Sequence, residues 1–276
     1  GVGNALSTTG DVITVNNSGN ATFSADATVH GLTVGLGGGS VGSNTAVGTY
    51  VLSGNSTGIG NTGVGYSAMQ SSLFSGSANT GLGNSVLFYN STGSNNSAYG
   101  YQSLYSNTTA SNNTAVGYQA GYSNTTGSPN TFVGYGSGQN NTTGSHNTYV
   151  GYGSGYTYSS TGTGSYNTAL GDGTLFNNTT ASQNTAVGYQ SGYSNTTGTG
   201  LAFLGYAAGY SNTGSYNTAI GYYAGYGTTT GGSNVSVGAS ALQVNSTGGS
   251  NIAIGVQSLY SNTTAGYSTA VGYQAA

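Results

Sequence analysis

The sequence predicts an all-β fold, a parallel β-solenoid of about 14 coils of 17 residues. Three observations predict it: one short unit repeats through most of the 276 residues, turn-forming and strand-forming residues dominate each unit, and charged residues are almost absent. The chain has no Lys or Arg, and its three acidic residues are Asp11, Asp26 and Asp172. Helical repeats are excluded because their units run to about 33 to 47 residues and need strong helix formers.

Each repeat contains a glycine that we call the anchor glycine, the fifth residue of the unit N-T-A-V-G-Y-Q-A-G-Y-S-N-T-T-G-S-N. Consecutive anchor glycines lie 17 residues apart, except for single steps of 18, 20 and 16 residues. We expect them to adopt a positive φ or to let the backbone pass closely, which other residues do at a cost. The anchor glycines are Gly48, Gly65, Gly83, Gly100, Gly117, Gly134, Gly151, Gly171, Gly188, Gly205, Gly221, Gly238, Gly255 and Gly272.

An asparagine stands four residues before most anchor glycines. Its side chain can cap a turn, and stacked copies can form an amide ladder along the coils. Leu201 and Ser268 interrupt this ladder in two copies. The asparagines are Asn44, Asn61, Asn79, Asn96, Asn113, Asn130, Asn147, Asn167, Asn184, Asn217, Asn234 and Asn251.

Two short strands are predicted in each coil, T-A-V before the anchor glycine and Q-A-G-Y or Q-A-L-Y after it, with a turn at S-N-T-T-G. The residue directly before the anchor glycine is apolar in every copy, so we expect it to point inward. Alternation then places the residue two before the anchor glycine on the outer face. That residue is mostly Ala, but Phe132, Tyr149 and Phe203 replace it in three copies, which predicts a subunit interface there.

A rod built from such coils is thin. At the interstrand spacing of about 4.8 Å, the coils span roughly 65 Å. Each coil encloses few apolar atoms, so a single chain has little hydrophobic burial to offset the entropy of ordering its residues. We therefore expect the chain to associate with further copies.

This pattern resembles the N-x-x-A-I/V-G repeats in the heads of trimeric autotransporter adhesins of the YadA type. It is still more similar to N-T-A-V-G-Y-Q-A-L-Y-S-N-T-T-G arrays in tail fibres of bacteriophages, especially cyanophages, as in residues 113–126, 184–197 and 251–264. The resemblance covers residues 43–276, and the period of 17 is longer than is usual in the adhesin heads. It implies a left-handed β-roll and a homotrimeric rod.

The first 40 residues differ from the repeats. Residues 11–35 alternate apolar and polar side chains, as strands do. They resemble small β repeats near the shafts of phage fibres, so we assign residues 1–40 to a β connector and residues 41–276 to the repeat array. The chain begins with Gly1 rather than Met, and we expect it to be a segment of a longer protein.

Tyrosines are the main candidates for a binding site. They follow most anchor glycines directly and recur four residues later, where they can pack as ladders between coils or stack on sugar rings. The 20-residue step from Gly151 to Gly171 contains an insertion with Tyr156, Thr157 and Tyr158, the best candidate for a contact loop. The candidate glycan or receptor contacts are Tyr118, Tyr135, Tyr152, Tyr156, Tyr158, Tyr189 and Tyr206.

Composition excludes several kinds of site. Without Lys or Arg the chain cannot neutralise phosphates, so we expect neither nucleic-acid binding nor contact with anionic lipid headgroups. His30 and His146 are isolated, and Cys and Glu are absent, so we expect no metal, no cofactor and no catalytic residues. No apolar run is long enough to cross a membrane. The N-x-S/T motifs, at Asn55, Asn90, Asn107, Asn124, Asn195, Asn245 and Asn262, are expected to reflect composition rather than glycosylation.

The expected function is structural: a trimeric fibre of a virion tail or appendage that mediates attachment to a host-cell surface. Its partners would be other copies of the chain, further tail or baseplate proteins, and a host glycan or receptor. A bacterial surface adhesin or extracellular filament is the alternative. An ice-binding or surface-binding solenoid ranks lower, because Thr clusters in the turns rather than on a strand face. A polysaccharide depolymerase would need paired carboxylates that the sequence does not place together.

Overall fold

The computed structural model describes residues 13–15, 21–23, 27–29, 32–37, 41–159 and 161–276. All regular elements in these ranges are strands, and a single strand per repeat confirms the predicted parallel β-solenoid. Asp11, Asp26 and His30 lie outside the described residues, as does most of the predicted connector.

The strands before the repeats pair in antiparallel fashion. β1 (Ile13–Val15) pairs with β2 (Ala21–Phe23), and β3 (Ala27–Val29) pairs with β4 (Leu32–Gly35). β4 is also antiparallel to β5 (Thr45–Val47), the first strand of the repeats. This hairpin therefore joins the connector to the same 16-stranded sheet as the solenoid.

From β5 onward the strands stack as parallel neighbours in chain order. Equivalent residues of the repeats face each other, as in the pairs Thr114 with Thr131 and Val116 with Val133. The 20-residue step keeps this register, since Val150 pairs with Leu170. The remaining strands are β6 (Thr62–Val64), β7 (Thr80–Leu82), β8 (Ser97–Tyr99), β9 (Thr114–Val116), β10 (Asn130–Val133), β11 (Asn147–Val150), β12 (Thr168–Leu170), β13 (Thr185–Val187), β14 (Ala202–Leu204), β15 (Thr218–Ile220), β16 (Val235–Val237), β17 (Ile252–Ile254) and β18 (Thr269–Val271).

The prediction of two strands per coil is wrong, because the segment after the anchor glycine forms turns. The second and fourth residues after the anchor have a positive φ, for example 53° at Gln102 and 49° at Leu104. An extended strand requires negative φ at consecutive residues, so this segment cannot be one. It still bonds to its neighbours along the rod: the Gln119 N–H donates to the Tyr101 carbonyl at 2.9 Å.

The predicted inside and outside of the strand are also reversed. The residue two before the anchor glycine is buried in every coil, whereas the aliphatic residue directly before it faces outward. Leu204, for example, is 51% exposed while Ala186 is 0% exposed. Space is the reason in coils whose turn already fills the interior: a Cβ added to Gly63 would lie 2.6 Å from Val51 Cγ1, so this coil has no room for Val at residue 63.

Phe132, Tyr149 and Phe203 therefore belong to the core and not to a subunit interface. Each occupies space left by glycine four residues after its own anchor glycine, since a Cβ at Gly138 would lie 2.4 Å from the Phe132 ring and one at Gly155 would lie 2.3 Å from the Tyr149 ring. Coils with Ala in the strand instead carry a large side chain at that fourth position in many cases. These side chains include Leu52, Leu104, Leu175 and Leu259.

The small residues three positions after the anchor glycine are buried, as predicted. At several of the serines in this position the hydroxyl donates to a strand carbonyl of the next coil, for example Ser103 to Ala115 at 3.1 Å and Ser154 to Ala169 at 3.1 Å. Residues at this position close the interior opposite the strand.

The amide ladder predicted for the leading asparagines is present. Asn113 Oδ1 accepts the backbone N–H of Asn130 at 2.8 Å, and Asn96 Oδ1 accepts that of Asn113 at 3.0 Å. At the interruption, the Leu201 N–H still donates to Asn184 Oδ1 at 3.0 Å, but Leu201 offers no side-chain oxygen to the next coil. The ladder continues through Asn147, Asn184 and Asn251.

A second buried asparagine ladder lies seven residues after the anchor glycines and was not predicted. Asn107 Nδ2 donates to Asn90 Oδ1 and to the Ala110 carbonyl, both at 2.9 Å. These asparagines are the first residues of the N-x-S/T motifs, and their burial removes the amide nitrogen from the surface at Asn55, Asn90, Asn107, Asn124, Asn195 and Asn245.

The anchor glycines have the positive φ that the sequence predicts, and a second constraint adds to it. At Gly134 φ is 130°, and an added Cβ would lie 2.3 Å from the carbonyl oxygen of Gly151 in the next coil. Gly117, Gly188 and Gly255 show the same close approach. Because this distance follows from the spacing of stacked coils, the glycine sets how closely neighbouring coils pack.

Candidate functional site

Tyrosines directly after the anchor glycines form a stacked column on the surface, which we call the first tyrosine ladder. Tyr118 and Tyr135 stack with ring centroids 4.8 Å apart, and Tyr135 and Tyr152 stack at 5.1 Å. Tyr189 and Tyr206 continue the column at 5.0 Å, beyond a coil in which Asp172 takes the place of tyrosine. The predicted ladder packing is therefore confirmed, and the ring edges and hydroxyls face solvent because each of these tyrosines is exposed.

A second aromatic ladder runs beside the first, at the position five residues after most anchor glycines. Tyr105 and Tyr122 stack at 5.0 Å with parallel rings, and Tyr193 and Tyr210 do the same at 5.0 Å. Burial, followed by hydrogen bonding to Tyr89, raises the pKa of Tyr105 to about 12. Partial desolvation thus accompanies stacking along this ladder.

The insertion between Gly151 and Gly171 adds a cluster of three rings to the second ladder. Tyr156 packs edge-on against Tyr158 at 5.6 Å and lies 4.8 Å from Phe176, while Tyr158 packs edge-on against Phe176 at 5.4 Å. Tyr158 is 76% exposed although it makes both contacts. The predicted contact loop thus presents an aromatic edge to solvent.

A cavity of about 370 Å³ lies between the two ladders at this point. Its volume is near the lower end of the roughly 300–1,000 Å³ typical of small-molecule sites. Four of the seven predicted contact tyrosines come together around it, and Tyr118, Tyr189 and Tyr206 do not line it. The lining residues are Gln119, Tyr135, Gly136, Gln139, Tyr152, Gly153, Tyr156, Tyr158 and Phe176.

Sequence reasoning missed the residues that create the cavity. Gln139 stands where most coils place an aromatic ring of the second ladder, and Gly136 and Gly153 stand where neighbouring coils have Gln102 or Gln119. The signal was present as three departures from the repeat in adjacent coils. These departures indicate a cavity only when both ladders are known to lie on the same side of the solenoid.

The outward face of the strands is a second candidate surface. Each strand projects two side chains from it, an aliphatic residue before the anchor glycine and most often a threonine two residues earlier. The expectation that Thr is confined to the turns is therefore wrong, because these threonines form a column through the parallel register. The column contains Thr45, Thr62, Thr80, Thr114, Thr131, Thr148, Thr168, Thr185, Thr218 and Thr269.

The other polar candidates are dispersed. His146 stacks on Tyr166 with ring centroids 4.7 Å apart. Within the described residues, no three His, Asp or Glu side chains come close enough to hold a metal ion. In the same part of the chain no helix has the length and apolar character that a membrane crossing requires.

The buried hydroxyl of Tyr149 is not part of the surface ladders. Complete burial raises its pKa to about 12, against the opposing effect of hydrogen bonding with the Asn178 and Asn167 side chains. The group is therefore a neutral phenol over the whole physiological range and serves the core rather than proton transfer.

The candidate site is therefore a cavity walled by aromatic rings on the surface of a solenoid with very few charged residues, beside a separate apolar and threonine-rich strand face. Comparison of this chain with family models, with curated proteins and with solved structures found no match.

Proposed function

We propose that this protein is a structural fibre that assembles as a homotrimeric rod, belongs to a virion tail or appendage, and serves attachment to a host-cell surface. One observation carries the proposal: the aliphatic side chains on the outward strand face form a continuous apolar column along the solenoid. Contiguous exposed apolar surface of this kind marks interaction sites in soluble proteins.

A second copy of the chain fits this face best. Every copy carries the same column with the same spacing between coils, so the ridges of one chain meet those of another along the whole rod. Each copy has only three charged residues, so charge repulsion between the copies is small. Burying Val116, Leu170, Leu204 and Ile254 in such a contact would stabilise each by about 1 kcal/mol or more, which compensates for the thin interior.

The role in attachment follows from shape and chemistry. A rod of stacked coils holds its surface residues at fixed spacing, so weak contacts repeated over three chains add through avidity. The partners proposed at its ends are further tail or baseplate proteins, and those along its surface are host glycans or receptors. The same geometry also suits a bacterial surface adhesin, which stays the alternative.

Light scattering at several protein concentrations tests the assembly. The native chain is expected to show three times 27.1 kDa at all of them. Val116→Lys together with Ile220→Lys places two charges in the proposed interface, and because a buried unpaired charge costs several kcal/mol the mass should fall to that of one chain. A native mass of 27.1 kDa at every concentration would overturn the trimer.

Thr126→Lys together with Thr230→Lys is the matched control. These exposed threonines lie in the turns of the same two coils, away from the strand face. The control adds equal charge and should leave the trimer intact. Loss of the trimer in the control would show that net charge, and not the strand face, governs assembly.

The threonine column supports a second candidate function, the binding of ice or another regular surface. Threonines repeated at the strand spacing on a flat face can match an ordered surface, and here they stand beside an aliphatic column. A chain that stays monomeric and shapes or slows the growth of ice crystals at micromolar concentration would favour this function. A trimer without effect on ice would exclude it.

A further inference from the structure

The cavity between the aromatic ladders exists because large side chains are missing from the floor. Gly136 and Gly153 have φ values of 60° and 56°, close to the 53° of Gln102 and the 51° of Gln119 at the equivalent position. The backbone conformation therefore does not require glycine there, although a Cβ on Gly153 would lie 2.9 Å from Phe176 Cε2, so the Phe176 ring would have to shift. The floor is open because side chains are missing there, and not because the backbone takes a different path.

The walls suit a flat ligand with apolar faces. Tyr135 and Tyr152 form one wall as a stacked pair, and Tyr156, Tyr158 and Phe176 form the other. Tyrosine combines an apolar ring face with a polar hydroxyl at its tip. A pyranose ring has the complementary character, with C–H groups on its faces and hydroxyls around its rim.

A chain of amides ends in the cavity with an open acceptor. Gln119 Nε2 donates to Gln102 Oε1 at 2.8 Å, and Gln139 Nε2 donates to Gln119 Oε1 at 2.9 Å. Gln139 Oε1 lies over the floor, 3.1 Å from where a Cβ on Gly136 would be. Among the described residues no group donates to this oxygen, so it can accept a hydrogen bond from a ligand hydroxyl.

Charge restricts the ligand further. The chain contains no Lys or Arg that could pair with a carboxylate, sulfate or phosphate. Asp172 is exposed and occupies the first-ladder position next to Tyr152, where it disfavours anions. An anionic ligand is thus disfavoured, and the open acceptor on Gln139 favours a ligand that carries hydroxyl donors.

We propose that the cavity between Tyr135, Tyr152 and Tyr158 is a binding site for one neutral pyranose unit of a glycan, with Gln139 as the hydroxyl acceptor. The inference deepens the attachment function proposed above and rests on it only for the origin of the glycan. A trimer carries three such sites, so its avidity for a polysaccharide exceeds that of one site.

Saturation-transfer NMR titration of the full chain with methyl glycosides of glucose, galactose, mannose and rhamnose tests the site. Saturable binding of at least one is expected, with methyl glucuronide and N-acetylneuraminic acid at least tenfold weaker. Gly136→Gln and Gln139→Tyr restore the residues of neighbouring coils and fill the cavity, and each should weaken binding at least tenfold. Both variants should stay folded at the temperature of the titration, with a cooperative unfolding transition well above it, so the loss cannot be ascribed to unfolding.

Tyr158→Ala and Tyr216→Ala form a matched pair on the surface. Their rings are 76% and 69% exposed, but only Tyr158 lines the cavity. Tyr158→Ala should weaken binding at least fivefold, and Tyr216→Ala should leave it unchanged. Equal effects of the two would overturn the assignment of the site.

Absence of binding for all four neutral sugars would overturn the inference, as would native-like binding in Gly136→Gln and Gln139→Tyr. Neither result depends on assembly or on cells, so the fibre proposal would stand or fall separately on the measured mass. A monomeric chain that binds a neutral sugar would sustain this inference and refute the trimer.

Discussion

Two kinds of coil fill the same interior from opposite sides. In coils such as that of Ala98 and Leu104, the strand contributes a methyl group and the turn contributes the large side chain. In the coils of Phe132 with Gly138 and of Phe203 with Gly209, the strand carries the ring and the turn carries none. We call these leucine coils and aromatic coils. Other coils, such as that of Ala115 with Gly121, carry a large side chain at neither position, and there Leu104 and Phe132 of the neighbouring coils fill the space. The repeat therefore keeps the stacking distance constant, while the position that supplies the interior volume changes from coil to coil.

The largest expected effect concerns what both kinds of coil share. Gly100→Ala in a leucine coil and Gly134→Ala in an aromatic coil would each place a Cβ within 2.4 Å and 2.3 Å, respectively, of the next anchor carbonyl oxygen. We expect each to lower the free energy of unfolding by more than about 4 kcal/mol. Chemical denaturation followed by circular dichroism measures the loss.

Gly272→Ala separates the two causes of this loss. Its φ is 130°, as at Gly134, but the nearest atom to an added Cβ is 3.9 Å away. Only backbone strain of about 1–3 kcal/mol is expected. A loss as large as that of Gly134→Ala would mean that φ alone, and not coil spacing, requires the glycine.

The next effect tests whether an aromatic coil can be converted to a leucine coil. Phe132→Ala should cost about 3–5 kcal/mol because it leaves a cavity. Adding Gly138→Leu should restore about 1–3 kcal/mol, since Leu104 and Leu175 already adopt the positive φ required there. Gly225→Leu, in a distant coil, is the control and should not rescue Phe132→Ala. If the effects of Phe132→Ala and Gly138→Leu on the free energy of unfolding simply add, volume compensation is disproved.

These cases show what the sequence could predict and what it could not. Period, register, anchor glycines and the amide ladder all depend on repetition, which the sequence displays directly. Strand alternation shows that Ala115 and Val116 face opposite ways but does not say which one is inside. Hydrophobicity favours Val inside, and the observed answer depends on an interior already filled by turn residues such as Leu104.

The cavity was harder to predict from the sequence than the fold. Gln139 is unremarkable by itself, and it matters only because rings of adjacent coils stack at about 5 Å and leave a gap where one is missing. The sequence could predict Tyr156 and Tyr158 as contact residues because they lie in an insertion. The role of Gly136 and Gly153 as the cavity floor depends on the two ladders lying beside each other, which the sequence does not show.

Tyr149 differs from the other two aromatic core residues, because it carries a hydroxyl where Phe132 and Phe203 carry none. Its pKa is about 12 in the folded chain against 10.0 for an ordinary tyrosine, so only the unfolded chain loses the proton between these values. Stability should therefore fall as pH rises from about 10 to 12, by roughly 2 kcal/mol from this group. Tyr149→Phe should remove that part of the alkaline loss, and an unchanged alkaline slope would contradict it.

The smallest expected effect concerns the position three residues after the anchor glycine. Ser103→Ala in a leucine coil and Ser154→Ala in an aromatic coil each remove one hydrogen bond to a strand carbonyl. Ala120 shows that alanine fits this position. A loss of about 0.5–1.5 kcal/mol is expected for both, measured by denaturant unfolding. Clearly unequal losses would mean that the two kinds of coil are not closed in the same way.

The contacts between successive coils have a consequence for the evolution of length. Each coil meets its neighbours through the same anchor glycine, asparagine amide and strand, so a coil inserted or deleted as a whole leaves two joinable surfaces. Nearly identical segments such as 113–126 and 184–197 give recombination matching places to cross over. Recombination can thus lengthen or shorten the rod by whole coils, and each coil changes its length by about 4.8 Å.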